Sequence, residues 1–544
     1  MQRRNFLKAA AGSALGARAQ TTEARIEVLS GEPIATIAPE IYGHFVEHLG
    51  GVVYDGIWVG EKSKTPAIQG MRTALIEAFK KIKPSVVRWP GGCFADSYNW
   101  RDGIGPRNIR PRRPNFWIDA REWPAGAPDG PWKYDTNQFG TQEFLRFCQL
   151  TGAQPYLAAN IRSLTARDFY EWVDYVNSPA GATTLAELRA SHGQAEPFRV
   201  RYWGVGNESW GCGGNFNPEE YAVEYRRFAE WTPRYGMNLA FIGSGPNGGD
   251  VGWTRRFFNS LSSRGGFRRL WGWALHHYSW NVSGGRTSDW FQGKGAATNY
   301  PAAEWYELLS EADKMEGLIT AHWSVMGEFD REHRVKLVVD EWGSWFRPGS
   351  ELHNTHLLGQ QSTIRDAVLA SLTLDTFHRH ADKVAMANIA QLVNCLQALF
   401  FAHEDQFALT PTYHVFDMYS AHQGGESLRT LVSAPTVPFE RAGGRKAALR
   451  GISASASRRG SQLTLTVTNL NPQEARETEI AIRGASVKEI RAKTLAAGDI
   501  QAVNTFSDPR RVEPRDVSPP SSRGGVLVHT FPAASVTLLN VTLV

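Results

Sequence analysis

The 544 residues carry a formal net charge of +5 from 59 basic and 54 acidic side chains, a near balance that gives no signal for nucleic acid or an acidic membrane surface. Mean hydropathy is -0.35, and no run after the N-terminus reaches the roughly 20 apolar residues of a membrane-spanning helix. This length, with 19 tryptophans, suits a barrel of roughly 250 to 400 residues plus one further module.

The chain opens on Arg3-Arg4-Asn5-Phe6-Leu7-Lys8, a small and apolar stretch from Ala9 to Leu15, and Ala17-Arg18-Ala19. Residues 1–19 therefore read as a twin-arginine signal peptide, implying a mature chain exported folded to the periplasm or beyond. In the next segment, residues 20–38, Arg25 to Leu29 forms a strand that Pro33 and Pro39 set apart, and it is assigned to the C-terminal sheet.

Across residues 39–424, short apolar runs alternate with helical patterns. The runs are Glu40 to Glu47, Ser85 to Gly91, Gln154 to Asn160, Val200 to Asn207, Leu239 to Gly245, Leu270 to Tyr278, Val335 to Glu341 and Val384 to Leu392. Helices are expected over Met71 to Lys83, Thr141 to Leu150, Thr165 to Val176, Pro218 to Tyr235, Ala302 to Met315 and Gln361 to Arg379, with Thr141 and Asn217 as N-caps. Eight βα units predict an α/β fold, a closed (β/α)8 TIM barrel. The first strand lacks a G-x-G-x-x-G turn, and the glycine-rich pieces Gly211-Cys212-Gly213-Gly214 and Gly243-Ser244-Gly245 lack a phosphate-loop lysine, so no nucleotide is expected. Arg107, Arg110, Arg112 and Arg113 read as an ion-paired or solvated loop. Over 425–544 the pattern turns to two-residue alternation, in Gln462 to Thr468, Glu479 to Ile482, Gly525 to Thr530 and Ser535 to Val544, which predicts a C-terminal β-sandwich of jelly-roll type. Ser507 to Gly525, rich in Pro, Arg and Ser, reads as a long exposed loop.

Cys93, Cys148, Cys212 and Cys395 show no C-x-x-C spacing, so neither a zinc site nor a disulfide scaffold is indicated. A Cys93 to Cys212 bridge is conceivable beside the glycine-rich motifs, but all four are read as thiols. His44-Phe45-Val46-Glu47-His48 satisfies the H-x-x-E-H pattern of zinc peptidases, yet Pro39, Gly43, Gly50 and Gly51 argue for a strand entering a loop rather than the helix that chemistry needs. His276 and His277 are strand neighbours facing opposite ways. No metal and no cofactor are expected.

Glu208 in Val205-Gly206-Asn207-Glu208-Ser209-Trp210 and Glu341 in Val338-Val339-Asp340-Glu341-Trp342-Gly343 each end an apolar run, the place where a barrel presents its chemistry. Two such carboxylates suit glycoside hydrolysis, one protonating the leaving oxygen and the other meeting the oxocarbenium-like carbon, with tryptophans as flat walls for sugar. The alternative readings are two buried structural acids and a catalytically inert carbohydrate-binding protein.

The ordered motifs Ile41-Tyr42-Gly43-His44-Phe45-Val46-Glu47-His48, Arg88-Trp89-Pro90-Gly91-Gly92-Cys93-Phe94, Gly206-Asn207-Glu208, His276-His277-Tyr278, Asp340-Glu341-Trp342-Gly343 and Ile389-Ala390-Gln391-Leu392-Val393-Asn394 resemble the glycoside hydrolase family 51 α-L-arabinofuranosidases through nearly the whole mature chain. The resemblance implies a retaining, exo-acting enzyme that removes terminal α-L-arabinofuranosyl groups from arabinose-containing plant polysaccharides and oligosaccharides, with Glu208 as acid/base and Glu341 as nucleophile. A retaining pair stands roughly 5 to 5.5 Å apart. The resemblance further assigns Asn207 to the sugar hydroxyl beside the anomeric carbon, and Glu47, Cys93 and Gln391 to the furanose hydroxyls; Tyr278 can donate to the nucleophile's carboxylate with His276 in support, stacking and core packing being the alternatives. Cys93 departs from the Asn often found there. Trp117, Trp210 and Trp342 are candidate apolar walls. The same resemblance implies a hexamer, and an endo-β-glucanase or β-xylosidase on the same barrel is the nearest rival activity.

Overall fold

The computed structural model describes residues 23–282, 292–441, 443–523 and 526–544, so the expected signal peptide lies outside the described residues. Eight parallel strands close into a barrel: Gly43–Phe45, Val86–Trp89, Gln154–Ala159, Tyr202–Val205, Ala240–Gly243, Gly272–Ser279, Lys336–Ser344 and Val384–Ala390. Closure is made where Asn388, Ile389 and Ala390 of the eighth strand pair with Gly43, His44 and Phe45 of the first. A Cβ at Gly43 would stand 2.2 Å from Asn388 Oδ1, so the seam requires glycine. Inside the barrel, Val86, Tyr156, Tyr202, Ile242, Val338 and Met386 form a buried cluster, each from a different strand. It is a filled core rather than a pore.

Helices wrap this barrel with their apolar faces inward. Thr73–Lys81 buries Leu75, Ile76 and Phe79 and keeps Lys80 and Lys81 in its last turn, where cations complement the helix dipole. Asn217 caps Pro218–Ala229, its side chain accepting from the Glu220 N–H. Thr141 is not the cap of its helix: it is the first helical residue of Thr141–Thr151, Gly140 holds the cap position, and Glu143 reaches back to accept from the Gly140 N–H at 3.0 Å. The basic loop is ion-paired, Arg107 to Glu61 and Glu143, Arg110 to Glu143, and Arg113 to Asp102. Among the described residues no helix is long and apolar enough to cross a membrane.

Ten further strands form the second sheet, with Arg515–Val517 and Ser521–Arg523 at its two edges. Those edge strands lie in the segment read as a loop, where Pro and Arg hide a short pairing segment. Strand Ala24–Thr36 sits within the sheet, antiparallel to Glu426–Ser433 and parallel to Arg476–Arg483. Ile26, Leu465, Ile480, Phe531, Leu539 and Val541, drawn from along the strand order, meet in one apolar cluster, so the sheet folds over itself as a sandwich.

Helix Ile364–Arg379 joins barrel and sandwich. Fifteen of its sixteen residues are buried, because it packs on the seventh barrel strand and also on strands Ile452–Arg459, Gln462–Asn469 and Ser535–Leu543. The sandwich-facing side is polar: Asp375 accepts from Ser453 and Tyr419, His378 meets Ser455, and Ser371 meets Thr468. Strand Ile452–Arg459 therefore carries Ser453, Ser455 and Ser457 buried, and this replacement of the expected apolar alternation concealed it in the sequence.

Candidate active site

The C-terminal ends of the barrel strands converge on one cluster of charged side chains. Arg88, fully buried on the second strand, is its hub. Its guanidinium donates to Glu341 Oε1 at 2.7 Å and to Asn207 Oδ1 at 2.5 Å, and its Nε lies 3.3 Å from Asp340 Oδ2. Asp340 also accepts from Tyr156 OH and Asn388 Nδ2, both at 2.9 Å. Burial alone would depress the Arg88 ionisation, but the facing carboxylates of Asp340 and Glu341 raise it above the usual arginine range.

Glu341 accepts from Arg88 through one oxygen and from Tyr278 OH, at 2.8 Å, through the other. Burial would raise its pKa; the charges of His276 and Arg88, with the Arg88 and Tyr278 hydrogen bonds, hold it below the ordinary value instead. This carboxylate is fixed, desolvated and anionic. Glu208 is half-buried, with a left-handed backbone (φ 38°) just beyond the fourth strand. Its Oε1 lies 3.0 Å from His276 Nδ1, which is itself 3.5 Å from Glu341 Oε2. One oxygen of each glutamate and a His276 nitrogen all lie within 4.8 Å of one another. Burial works against protonation of His276, but Glu341 and Glu208 outweigh it and raise its pKa.

A second group sits beside the first. Glu47 accepts from the Phe94 N–H at 3.0 Å, Trp117 Nε1 at 3.2 Å and Gln391 Nε2 at 3.2 Å, while Gln391 Oε1 takes the Glu47 N–H. Burial pushes the Glu47 carboxyl up to about 7; the Phe94 N–H opposes this and the Glu341 charge adds to it. Gly91 lies against Glu47, where a Cβ would meet Glu47 Cγ at 2.4 Å, and its φ of 156° itself disfavours a side chain. At Gly92 a Cβ would come 3.1 Å from Glu341 Oε1 and 3.5 Å from Asn207 Nδ2, so the backbone there forms the floor between the two groups. Asp96 holds the loops behind them, accepting from the Ile161 and Asn207 N–H groups at 2.8 and 3.1 Å.

The cysteine reading is corrected. Cys93 and Cys212 form a disulfide, because the loops after the second and fourth strands bring their Cα atoms to 5.5 Å, a separation a bridge requires and spacing alone does not reveal. The bridge borders the site: Cys212 Sγ lies 3.7 Å from Glu208 Oε2. Cys148 and Cys395 are buried thiols. Trp117 borders the site through its bond to Glu47, and Trp210, two positions after Glu208 in the chain, is half-buried. Trp342 is not a wall. It alternates away from Glu341 into the helix layer, 1% exposed against Phe377 and Phe416. His277 likewise points outward to the Glu311 carbonyl, 2.8 Å away. His44 packs on Phe79 and Phe416, whereas His48 bonds Asp135 and Trp89, so the H-x-x-E-H residues serve separate surroundings. Sequence reasoning missed the roles of Arg88, Asp340 and Asp96. For Arg88 the signal was present, a charge inside the apolar run Val86-Val87-Arg88-Trp89.

Family models for the α-L-arabinofuranosidase 1 domain and the α-L-arabinofuranosidase C-terminal domain match residues 78–249 and 340–535. An intracellular exo-α-L-arabinofuranosidase of Bacteroides ovatus is 36% identical over 92% of both chains. The crystal structure of the GH51 arabinofuranosidase from Xanthomonas axonopodis pv. citri superposes with a TM-score of 0.87 at 32% identity, covering 96% of this chain and 100% of that one. The chain belongs to the GH51 arabinofuranosidases. The family supplies the correction to the location expected from Arg3-Arg4. The Bacteroides ovatus relative and one from Streptomyces lividans, 27% identical over 91% of this chain and 72% of that one, are both named intracellular, which points against a periplasmic or secreted GH51 enzyme here. An arginine pair before an alanine-rich stretch is a short pattern of low specificity, too weak to set the location against those relatives.

Proposed function

We propose that this chain is a retaining, exo-acting α-L-arabinofuranosidase in which Glu341 is the nucleophile and Glu208 the general acid/base. The observation that carries the role assignment is the approach of the two carboxylates to within 4.8 Å, with Glu341 alone clamped by Arg88 and Tyr278. That approach suits direct attack and leaves no room for the interposed water of an inverting pair. Glu341 attacks the anomeric carbon while Glu208 protonates the departing glycosidic oxygen. Giving up that proton leaves Glu208 anionic, against a smaller repulsion because ester formation removes the negative charge of Glu341, and it then takes a proton from the water that cleaves the ester, releasing arabinose and restoring the Glu341 carboxylate.

Asn207, oriented by its Arg88 bond, faces the hydroxyl beside the anomeric carbon, and Glu47 and Gln391 take the remaining furanose hydroxyls. Cys93, bound in the disulfide, shapes the pocket wall rather than donating a thiol proton. Family membership and the exo-acting name of the Bacteroides ovatus relative support terminal arabinofuranosyl groups of plant polysaccharides and oligosaccharides as substrate.

The role split is tested on aryl α-L-arabinofuranosides with good and poor leaving groups. Glu341→Ala abolishes turnover of all of them. Glu208→Ala retains the first step on good leaving groups and gains turnover when azide is added. Equal residual activity in the two variants overturns the assignment.

A further inference from the structure

Away from the glutamates, the barrel rim carries a set of side chains that the glycosidase chemistry does not use. His353 and His356 stand in the loop after the seventh strand, and His403 ends strand Phe400–His403 after the eighth. One ring nitrogen from each lies within 4.8 Å of the others. The His353 and His403 rings stack at 3.7 Å between centroids, and His356 lies edge-on to both.

We propose that His353, His356 and His403 form a binding site for a borderline divalent transition-metal ion of the zinc type. Two features point to a ligand rather than to packing. His356 is 1% exposed and its Nε2 is buried without a hydrogen-bond partner, a cost that coordination removes. His403 Nδ1 lies 2.7 Å from Asp55 Oδ2, so this ring is held by a carboxylate with Nε2 left over, the outer-shell arrangement of histidine metal ligands. His353 Nδ1 lies 2.8 Å from Thr355 Oγ1 and also accepts from the Thr355 N–H at 3.3 Å; metal at Nε2 requires the tautomer in which Nδ1–H donates to the hydroxyl instead. Tetrahedral zinc, with Zn–N of about 2.0–2.1 Å, would set the nitrogens about 3.3 Å apart, a closure of up to about 1.5 Å from the 4.8 Å within which they lie, reached by turning the rings. Three nitrogens and one solvent molecule complete four-coordination.

Asp55 belongs to the loop after the first barrel strand, so the ion would tie three rim loops together. Its carboxylate is itself placed by the turn that follows His403, through the Glu404 N–H 2.9 Å away, and by Arg72 at 3.2 Å. Glu47 and Gln391 lie at the roots of two of these loops, which makes the site a brace for the pocket rim and not part of the reaction.

The test uses the full chain, stripped with chelator and titrated with Co2+ and with Zn2+ alone. The expected result is one equivalent of Co2+ per chain with the intense visible absorption of tetrahedral nitrogen coordination, displaced by Zn2+, and a rise in melting temperature with either ion. His353→Gln and His403→Gln abolish the absorption, and Asp55→Asn weakens uptake by about 10–100-fold, while circular dichroism of the metal-free variants matches that of the unaltered chain. Should a variant misfold, the unaltered chain still decides: no Co2+ uptake at micromolar concentration overturns the proposal. So does uptake that survives in folded histidine variants, because the ion then sits elsewhere.

Discussion

Replacing Tyr278 by phenylalanine removes one hydroxyl and nothing else from the clamp on Glu341. The lost bond, 2.8 Å to Oε2, reaches a buried carboxylate, and such charge-assisted bonds contribute about 1.5–3 kcal/mol. Tyr278 favours the ionised form, so Glu341 must titrate higher in the variant. The acid limb of kcat/KM therefore moves to higher pH. Stability follows the same sign. A depressed carboxylate contributes stability present above its unfolded value of 4.5 and lost as pH falls through the folded value, so Tyr278→Phe is destabilised at pH 7 and approaches wild type in acid. The assay is the pH profile of kcat/KM on an aryl α-L-arabinofuranoside, with urea unfolding at matched pH. An acid limb that stays in place, or moves to lower pH, refutes the view that Tyr278 keeps the nucleophile ionised.

Glu47 has the opposite sign, since burial raises it to about 7 from 4.5. Its contribution is fully present below the unfolded value and is lost as pH rises through the folded one, so Glu47→Gln should gain on the wild type by up to about 3 kcal/mol between pH 5 and 8; a constant difference across that range would count against it. The disulfide is checked by thiol titration of the denatured chain, which should report two thiols before reduction and four after. Cys212→Ser, opening a bridge between residues 119 apart, should cost about 2–5 kcal/mol and lower kcat because Glu208 is four residues away; four thiols without reductant would remove the bridge from the account.

The barrel was legible because its strands are short, apolar and regularly spaced, and Glu208 and Glu341 stood out because each ends such a run. Strand Ile452–Arg459 was not legible, since its buried face pairs with a polar helix and reads as Ser-Ala repeats. Pairings across long separations were equally hidden. Nothing local to Cys93 names Cys212, and nothing in His353-Asn354-Thr355-His356 points to His403. Arg88 shows a different limit: its charge within an apolar run was visible, but which acids it would satisfy depended on the closure of the barrel. Trp342 was misjudged because proximity to Glu341 in sequence puts it on the opposite face of the same strand.

Helix Ile364–Arg379 bears on how this protein can be taken apart. Its Ser371, Asp375 and His378 each bond a side chain of the sandwich, so a barrel cut free near residue 425 would lose those partners, keeping Tyr419 at Asp375 and Tyr42 at His378. The first described strand is also threaded through the same sandwich between segments from the far end of the chain. The second unit is thus unlike a tethered binding module that recombination can shuffle between enzymes. A minimal catalytic fragment is therefore best sought by trimming loops rather than by deleting the sandwich.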